Sequence, residues 1–311
     1  MPSAIAVKTV LSGGSMLLAM DDAPLQTQAT ADPLERAMAY VEDHAFDPLT
    51  LSDLAALAGL SPYHFARQFS YRYGLTPMAF VRARRLGLAA KLLASPHPPA
   101  LIDLAFDTGF ESQEGFTRAF KRAFGVSPGR YRKGRAAPTP SEILAMSDIA
   151  SAVRLTQDPA PVKKPGFRIA GVAAVFDETT KAGIPMLWGK LTPRLPLPGQ
   201  LGEGAYGVGR PDSSGEGCFR YMASVAVGAD APIPDGVEAF DVPTQTYLIF
   251  RLETDGSELH PQMQAALRQI WGDRVPKSGH KLANGPDLEV YPPGFLPDRP
   301  SRIEWWIPVE A

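Results

Sequence analysis

The stretch GFESQEGFTRAFKRAFGVSPGRYR, residues 109–132, repeats a pattern that already occurs earlier in the chain. Five residues of the earlier copy recur 50 positions later, and six more recur 51 positions later. The first set pairs Leu51, Asp53, Leu54, Ala55 and Gly59 with Leu101, Asp103, Leu104, Ala105 and Gly109. The second set pairs Ser61, Phe65, Arg67, Phe69, Gly74 and Pro77 with Ser112, Phe116, Arg118, Phe120, Gly125 and Pro128. Because self-similarity at a fixed offset reports repeated structural units, the sequence predicts two copies of one small helical motif.

Each copy has the pattern of a helix-turn-helix. A short apolar helix ends at a glycine, Gly59 or Gly109, in the position that commonly takes a positive φ. A serine, Ser61 or Ser112, follows as the N-cap of a second helix. Phenylalanines four residues apart then give that second helix an apolar face. Two short helices joined by a turn that contains glycine are typical of this motif.

Further helices flank the two copies. Asp32 and Pro33 cap and begin a helix that runs to about His44. A long helix from about Pro77 to about Leu93 joins the copies. After the second copy the composition turns from basic to rich in Pro, Ala and Thr. We therefore assign residues 1–31 to a flexible N-terminal extension, 32–135 to an all-α domain with two helix-turn-helix units, 136–164 to a linker and 165–311 to a second domain.

The second domain has a different pattern. Short runs with β-branched and aromatic residues, bounded by Gly and Pro, predict strands. These runs are FRIAGVAAVF, FRYMASVAVG, TYLIFRLET, LEVY and RIEWWIPV. Helical candidates at about 184–195 and 258–271 interrupt them. The order is strand–helix–strand–strand, twice over, which predicts an α+β domain with an antiparallel sheet.

Composition narrows the class of protein. The net charge is −2, yet residues 33–135 carry 14 Lys and Arg against 9 Asp and Glu, which favours a polyanionic partner for that region. No run approaches the ~18 apolar residues that a membrane span needs. The single cysteine, Cys218, excludes an internal disulfide, and the five histidines show no metal-ligand spacing. We expect a cytoplasmic protein with no metal and no cofactor.

The polar faces of the two recognition helices are candidates for reading DNA. Gln can bridge adenine, Glu can accept from cytosine N4, and Arg can fork onto guanine. With the phenylalanines facing the core, the exposed candidates are Tyr63, Ala66 and Arg67 in the first copy and Gln113, Glu114, Thr117, Arg118 and Lys121 in the second. The alternative is that these are only solvated helix faces. Two capped copies with arginine at the same site favour DNA.

Residues 33–133 resemble the DNA-binding domain of AraC/XylS-family transcription regulators. The resemblance rests on SDLAALAGLSPYHFARQF, on RARRLGLAAKLL and on DLAFDTGFESQEGFTRAFKRAFGVSPGRYR. It implies seven helices, and it implies that one molecule fills two successive major-groove segments on one face of the DNA. It also implies base contacts at seven residues of the two recognition helices: Tyr63, Ala66, Arg67, Gln113, Glu114, Thr117 and Arg118. Ala66 offers no side-chain hydrogen bond, so the first helix would read through Tyr63 and Arg67.

Residues from about 165 to 311 resemble the GyrI-like effector-binding domain. The resemblance rests on TYLIFRLETDG, on IWGDRVPKSGHKLANGPDLEVYPP and on IEWWIPV. It implies a ligand pocket that Glu289 faces. A carboxylate among apolar neighbours needs a cation, and aromatic rings add cation–π attraction. The expected effector-binding residues are Glu289, Tyr291, Trp188, Tyr206, Tyr247 and Trp306. Alternation places Trp305 and Trp306 on opposite faces, so only one of them should line the pocket.

These patterns predict a DNA-binding transcription regulator, not an enzyme, that responds to a small cationic or aromatic effector. Its expected partners are double-stranded DNA, the effector and RNA polymerase, with no membrane partner. Two alternatives remain open at this point. The second domain could be a hydrolase in which Glu289 activates water, or a module that contacts another protein without any ligand.

Overall fold

The computed structural model describes residues 32–134, Leu155 and residues 159–311. The chain divides into two compact units. Of the described residues, the first unit holds 32–50 and 78–134, and the second holds 51–77, Leu155 and 159–311. The predicted N-terminal extension and most of the predicted linker lie outside the described residues. The domain limits drawn from the sequence stay a prediction, since the compact units divide the chain differently.

Seven helices occupy residues 33–132, as the resemblance implied. They are α1 (Pro33–His44), α2 (Leu51–Ala58), α3 (Pro62–Tyr73), α4 (Pro77–Leu93), α5 (Leu101–Asp107), α6 (Gln113–Phe124) and α7 (Pro128–Arg132). Asp32 caps α1 by accepting from the Leu34 N–H, at 2.8 Å. The turn glycines Gly59 and Gly109 have φ of 69° and 78°, which confirms the two helix-turn-helix turns.

The first unit has an aromatic core. Phe116, Phe120 and Phe124 on α6 are buried against Leu104 on α5 and against α4. Arg85 on α4 is structural, because its Nε donates to the Ala45 carbonyl oxygen at 2.6 Å and its Nη2 to that of Asp47 at 2.9 Å. The repeated phenylalanines therefore face the core, as their spacing predicted.

The second unit contains α2 and α3 together with a single antiparallel sheet. Within the described residues its strands are β1 (Pro161–Lys164), β2 (Phe167–Phe176), β3 (Gln200–Pro211), β4 (Phe219–Val227), β5 (Glu238–Val242), β6 (Gln245–Asp255), β7 (Asp287–Tyr291) and β8 (Pro300–Val309). The sheet order is β1-β6-β8-β7-β3-β4-β2-β5. Helix α8 (Pro185–Leu191) follows β2, and α9 (Leu259–Gln269) follows β6 and continues into a π-helical turn at Ile270–Arg274.

The predicted duplication is confirmed. One half is β2-α8-β3-β4, the other is β6-α9-β7-β8, and β3 pairs with β7 where the halves meet. Three strands are absent from the predicted runs. β3 is rich in glycine, β5 is short, and β1 consists of residues that the sequence assigns to the linker but that pair with β6.

No helix in the described part of the chain is long and apolar enough to cross a membrane.

The two faces of the sheet carry different clusters. One face, here the helical face, carries Tyr221 and Trp305 and packs against α3, α8, α9 and the π-helical turn, whose Trp271 is buried in the same cluster as Trp305. The opposite face carries Val208, Met222, Tyr247 and Leu288. Side chains alternate between faces along each strand, so a residue's place in the strand decides its cluster.

Candidate functional site

The second recognition helix, α6, presents an exposed polar face in the first unit. Ser112 caps it by accepting from the Gly115 N–H at 3.1 Å. Gln113, Glu114, Arg118 and Lys121 are exposed, and Thr117 is half-buried. Four of these five residues are therefore exposed as the sequence predicted, and Thr117 is exposed only in part. The side chains of Glu114 and Arg118 form an ion pair at 2.6 Å. An exposed i,i+4 pair contributes only ~0.3–0.5 kcal/mol, so it competes weakly with another partner for either side chain.

The carboxylate of Glu289 lies on the helical face of the sheet, held by two tyrosines. Tyr221 on β4 and Tyr291 on β7 both donate to Glu289 Oε2, at 2.8 and 2.9 Å. The indole of Trp188 on α8 donates to the Tyr221 hydroxyl at 3.3 Å. The Trp188 ring also meets the Tyr291 ring edge-on, with centroids 5.2 Å apart. The result is a partly buried carboxylate with an aromatic wall.

A glycine makes room for this cluster. Gly207 on β3 pairs with Glu289 in the sheet register. A Cβ at this position would lie 2.1 Å from the Tyr221 hydroxyl oxygen and 2.7 Å from Glu289 Oε2. Any side chain larger than hydrogen would therefore displace the hydrogen bond between them.

Burial raises the pKa of the Glu289 carboxyl above its ordinary value, and the hydrogen bonds from Tyr221 and Tyr291 offset only part of that effect. Desolvation disfavours a charged carboxylate, while donors to it favour the charge. A cation beside this carboxylate would favour its ionised form, and the ionised carboxylate would bind the cation more tightly than the neutral acid does.

A second acidic residue, Asp287, lies two positions earlier on the same strand and faces the same side. The Tyr63 hydroxyl on α3 donates to Asp287 Oδ1. Arg67, one turn further along α3, donates from Nη1 to the Tyr63 hydroxyl at 2.7 Å and lies 3.4 Å from Asp287 Oδ2. Gly209 leaves room here, because a Cβ on it would lie 2.9 Å from the Tyr63 hydroxyl oxygen.

Aromatic rings surround the Arg67 guanidinium. Its central carbon lies 4.9 Å from the centroid of Trp271, 5.4 Å from that of Tyr63 and 5.9 Å from that of Phe219. Burial alone would lower the pKa of Arg67, but Asp287 and then Tyr63 raise it above its ordinary value. The guanidinium is therefore a buried cation in an aromatic and anionic cage.

This arrangement differs from the exposed face that the sequence predicts for α3. Tyr63, Ala66 and Arg67 are all buried. The periodic pattern of an isolated helix places them opposite the core phenylalanines, but in the second unit that opposite face packs on the sheet. The predicted base-reading face of the first repeat is therefore covered here, and its DNA contacts stay a prediction.

The structure also corrects the set of aromatic residues expected beside Glu289. Trp188 and Tyr291 do lie there. Tyr206, Tyr247 and Trp306 belong to the opposite face, where Tyr247 and Trp306 have ring centroids 5.5 Å apart. The reason is alternation: Glu289 pairs with Trp305, so Trp305 shares its face and Trp306 does not.

Several residues of the site were missed from the sequence. Asp287 was recoverable, because positions two apart on a strand share a face. Tyr221 was recoverable only with the sheet register, since β4 neighbours β3 and not the strand that carries Glu289. Across the described residues, no three His, Cys, Asp or Glu side chains form a metal-binding group. A cleft of about 310 Å³, lined by Pro159, Phe250, Asp273, Arg274, Lys277 and Ser278, does not include the Glu289 cluster.

Comparison with known proteins identifies both parts of the chain. Residues 54–134 match the model of a helix-turn-helix domain, and residues 157–310 match that of a GyrI-like small molecule binding domain. The chain joins an AraC-type helix-turn-helix domain to a GyrI-like domain.

Curated relatives match about a third of this chain. The right origin-binding protein of Escherichia coli K12 is 40% identical over 94 residues, which are 30% of this chain and 32% of that protein. The HTH-type transcriptional regulator ExsA of Pseudomonas aeruginosa is 33% identical over 102 residues, 33% of this chain and 36% of that protein. The match thus spans about a third of the length of these relatives. Among solved structures, that of SAV2435 bound to tetraphenylphosphonium matches over 50% of this chain and 95% of its own, at 16% identity and a TM-score of 0.42.

We expect acid to loosen α3 in the second unit. Burial, and then the charge of Arg67, lowers the pKa of His64 from 6.5 to about 4. Between these values the unfolded segment binds a proton that the packed helix does not, so stability falls as the pH falls. The slope approaches ~1.4 kcal/mol per pH unit between the two pKa values, and because His64 of the unfolded segment is already half protonated at pH 6.5, the loss from pH 6.5 to 5 is ~1.6 kcal/mol. Amide exchange of residues 62–73, corrected for its intrinsic pH dependence, should accelerate ~15-fold over this range.

The control is an exposed histidine. His64→Gln should lose this added acceleration, whereas His260→Gln should keep it, because His260 is exposed. Equal acid sensitivity in His64→Gln and the wild type would contradict the assignment.

Proposed function

We propose that this chain is a DNA-binding transcription regulator whose GyrI-like domain binds a small aromatic cation. The single observation that carries the proposal is the exposed N-terminal face of α6 within an AraC-type domain. Relatives of this chain are named as transcription regulators and as an origin-binding protein. A ligand regulates such a protein only through different affinities for two of its states.

The proposed base contacts lie on α6. Gln113, Glu114 and Thr117 offer an amide, a carboxylate and a methyl group with a hydroxyl. Arg118 offers a guanidinium for a bidentate contact to guanine, and Lys121 one turn later offers a charge for phosphate. The N-terminal end of a helix inserted in the major groove is where recognition helices make such contacts.

The proposed effector site is centred on Glu289. Both tyrosine hydroxyls donate to Oε2, and Oε1 accepts no hydrogen bond from any residue that the structure describes. Oε1 is therefore the atom that we assign to the ligand. A delocalised aromatic cation would replace hydration lost by the carboxylate and would stack on Trp188 and Tyr291.

We propose further that the chain acts in the cytoplasm and contacts RNA polymerase when it is bound at a promoter. The support is the transcription-regulator naming of its relatives. Recruitment of purified polymerase to a promoter fragment should increase when the chain is added, and equal recruitment with and without it would contradict this partner.

Arg118→Ala tests the DNA-binding proposal. On a duplex that the wild-type chain selects from random sequences, we expect a loss of ~1–3 kcal/mol, or roughly 5- to 150-fold in Kd, with relaxed preference at one base position. The measurement is a binding titration at fixed salt. Arg251→Ala is the matched control, since Arg251 is also an exposed arginine in an ion pair but lies on β6. Unchanged affinity and base preference in Arg118→Ala would reject α6 as the reading helix.

A further inference from the structure

The two repeats carry arginine at the same position but in opposite environments. The Arg118 side chain on α6 is 68% exposed, whereas the Arg67 side chain on α3 is 9% exposed. Both helices have the same serine cap, the same core phenylalanines and the same C-terminal glycine in the left-handed conformation. The burial of Arg67 is therefore not a property of the motif. It results from the packing of α3 on the helical face of the sheet.

The residues that pack there are the ones expected to read DNA. The Tyr63 hydroxyl donates to Asp287, Arg67 forms an ion pair with the same carboxylate, and Ala66 is buried on the same helix. A helix whose reading face lies on a protein surface cannot place that face in a major groove. The packed state and the DNA-reading state of α3 are thus mutually exclusive.

The chemistry of this packing is that of an effector site. A guanidinium stacks near Trp271, hydrogen-bonds through Tyr63 to a carboxylate, and lies within the electrostatic reach of Glu289. Planar amidinium and guanidinium ions on an aromatic group offer the same charge, the same donors and the same flat shape. A free ion of that class would use the contacts that Arg67 now uses.

We propose that α3 is a tethered occupant of the effector site. The Arg67 guanidinium on Asp287 holds the first recognition helix away from DNA, and a free aromatic amidinium or guanidinium takes its place and releases α3. The proposal rests on the proposed function, because it assigns the regulation of the same site. It also assigns Asp287 as the carboxylate on which the free cation replaces the Arg67 guanidinium.

The packed state contains features that make it displaceable. Within the described part of the chain, Arg67 Nε, His64 Nε2 and Trp271 Nε1 are buried without a hydrogen-bond partner. Buried polar atoms without partners destabilise the state that buries them. A ligand therefore competes against a contact that is specific but incompletely satisfied.

A second contact holds the same helix pair. Glu216, in the loop between β3 and β4, accepts from the backbone N–H groups of Leu51 at 3.2 Å and Ser52 at 2.9 Å, at the start of α2. Glu216 thus holds the first helix of this helix-turn-helix unit, α2, and Asp287 holds the second, α3. Release of α3 should loosen α2 as well.

The first test measures amide exchange in the full chain without DNA. Phenylguanidinium should accelerate exchange of residues 62–73 at least tenfold at saturation, and its neutral isostere phenylurea should not. Calorimetry in the same samples measures binding. Binding of phenylguanidinium without faster exchange would overturn the tether and leave the proposed function standing. Absence of phenylguanidinium binding would overturn the assignment of this ligand class to the site.

Asp287→Asn removes the charge that Arg67 meets. Residues 62–73 should then exchange at least tenfold faster without ligand, and phenylguanidinium should add little. Asp241→Asn is the control, because Asp241 lies exposed on edge strand β5 and pairs with Arg168. Wild-type exchange in Asp287→Asn would overturn the proposal.

A reversible crosslink tests the mutual exclusion even if Asp287→Asn fails to fold. A Cβ at position 272 would lie 3.2 Å from the Cα of Arg72, so Arg72→Cys with Gly272→Cys places two thiols within reach. Cys218→Ser removes the competing thiol. With saturating phenylguanidinium present, the reduced protein releases α3 and the oxidised protein cannot, so the oxidised protein should bind the selected duplex at least tenfold more weakly. Equal affinity of the two forms would overturn the proposal.

Discussion

Glu289→Gln should strongly weaken the binding of an aromatic cation to the second unit while DNA binding by α6 stays intact. The substitution keeps the shape of the side chain and its ability to accept from Tyr221 and Tyr291. It removes the charge that a buried cation requires. Truncating one partner of a buried charge pair typically costs ~2–5 kcal/mol, so we expect a loss of at least ~30-fold in affinity.

Rhodamine 6G is a suitable probe for this loss, because its positive charge is permanent and delocalised and its fluorescence anisotropy reports binding. Glu253→Gln is the matched control, since Glu253 lies on β6 in an exposed ion pair with Arg302. The same rhodamine affinity in Glu289→Gln and in the wild type would show that the ligand does not meet this carboxylate.

Gly207→Ala should both destabilise the second unit and damage the effector site. The added methyl would lie 2.1 Å from the Tyr221 hydroxyl oxygen, in the middle of a β-sheet whose backbone has little freedom to move. Overpacking of this kind costs ~1–3 kcal/mol, and separating Tyr221 from Glu289 adds the cost of a broken buried hydrogen bond. Thermal unfolding and rhodamine binding measure the two effects.

Gly189→Ala provides the comparison. Gly189 lies on α8 of the same unit, and a Cβ there meets no atom within 4 Å. In a helix, alanine is ~1 kcal/mol more favourable than glycine, so this variant should be at least as stable as the wild type. If Gly207→Ala unfolds at the wild-type temperature and binds rhodamine normally, the close approach of Tyr221 to Glu289 is not needed.

Local rules predicted the helical region well. Asp32 and Ser112 cap helices because a short polar side chain can reach the free N–H groups of the first turn. Gly59 and Gly109 end helices because they adopt positive φ without strain. These interactions lie within a few residues along the chain, so a sequence pattern contains all of the information they need. Five of the eight strands and both helices of the duplicated halves also followed from periodicity, whereas glycine-rich β3 did not.

Interactions between distant residues were not predictable from the same rules. Glu216 accepts hydrogen bonds at the start of α2 from 165 residues away in sequence. Alternation established that Trp305 and Trp306 face opposite sides, but only the pairing of Glu289 with Trp305 shows which one shares the site. The polar pattern of α3 is the same whether its face meets solvent, DNA or a sheet, so the burial of Arg67 required the tertiary structure.

The most direct test of whether an aromatic cation in the GyrI-like domain controls DNA binding is the affinity of the wild-type chain for its selected duplex with and without saturating phenylguanidinium. Both titrations need the same salt concentration. We expect a tighter Kd with the ligand, by at least ~5-fold, because coupling free energies between sites are typically ~1–3 kcal/mol and release of α3 adds a second reading helix. An identical Kd in the two titrations, with phenylguanidinium binding verified in the same samples, would show that the cation does not control DNA binding.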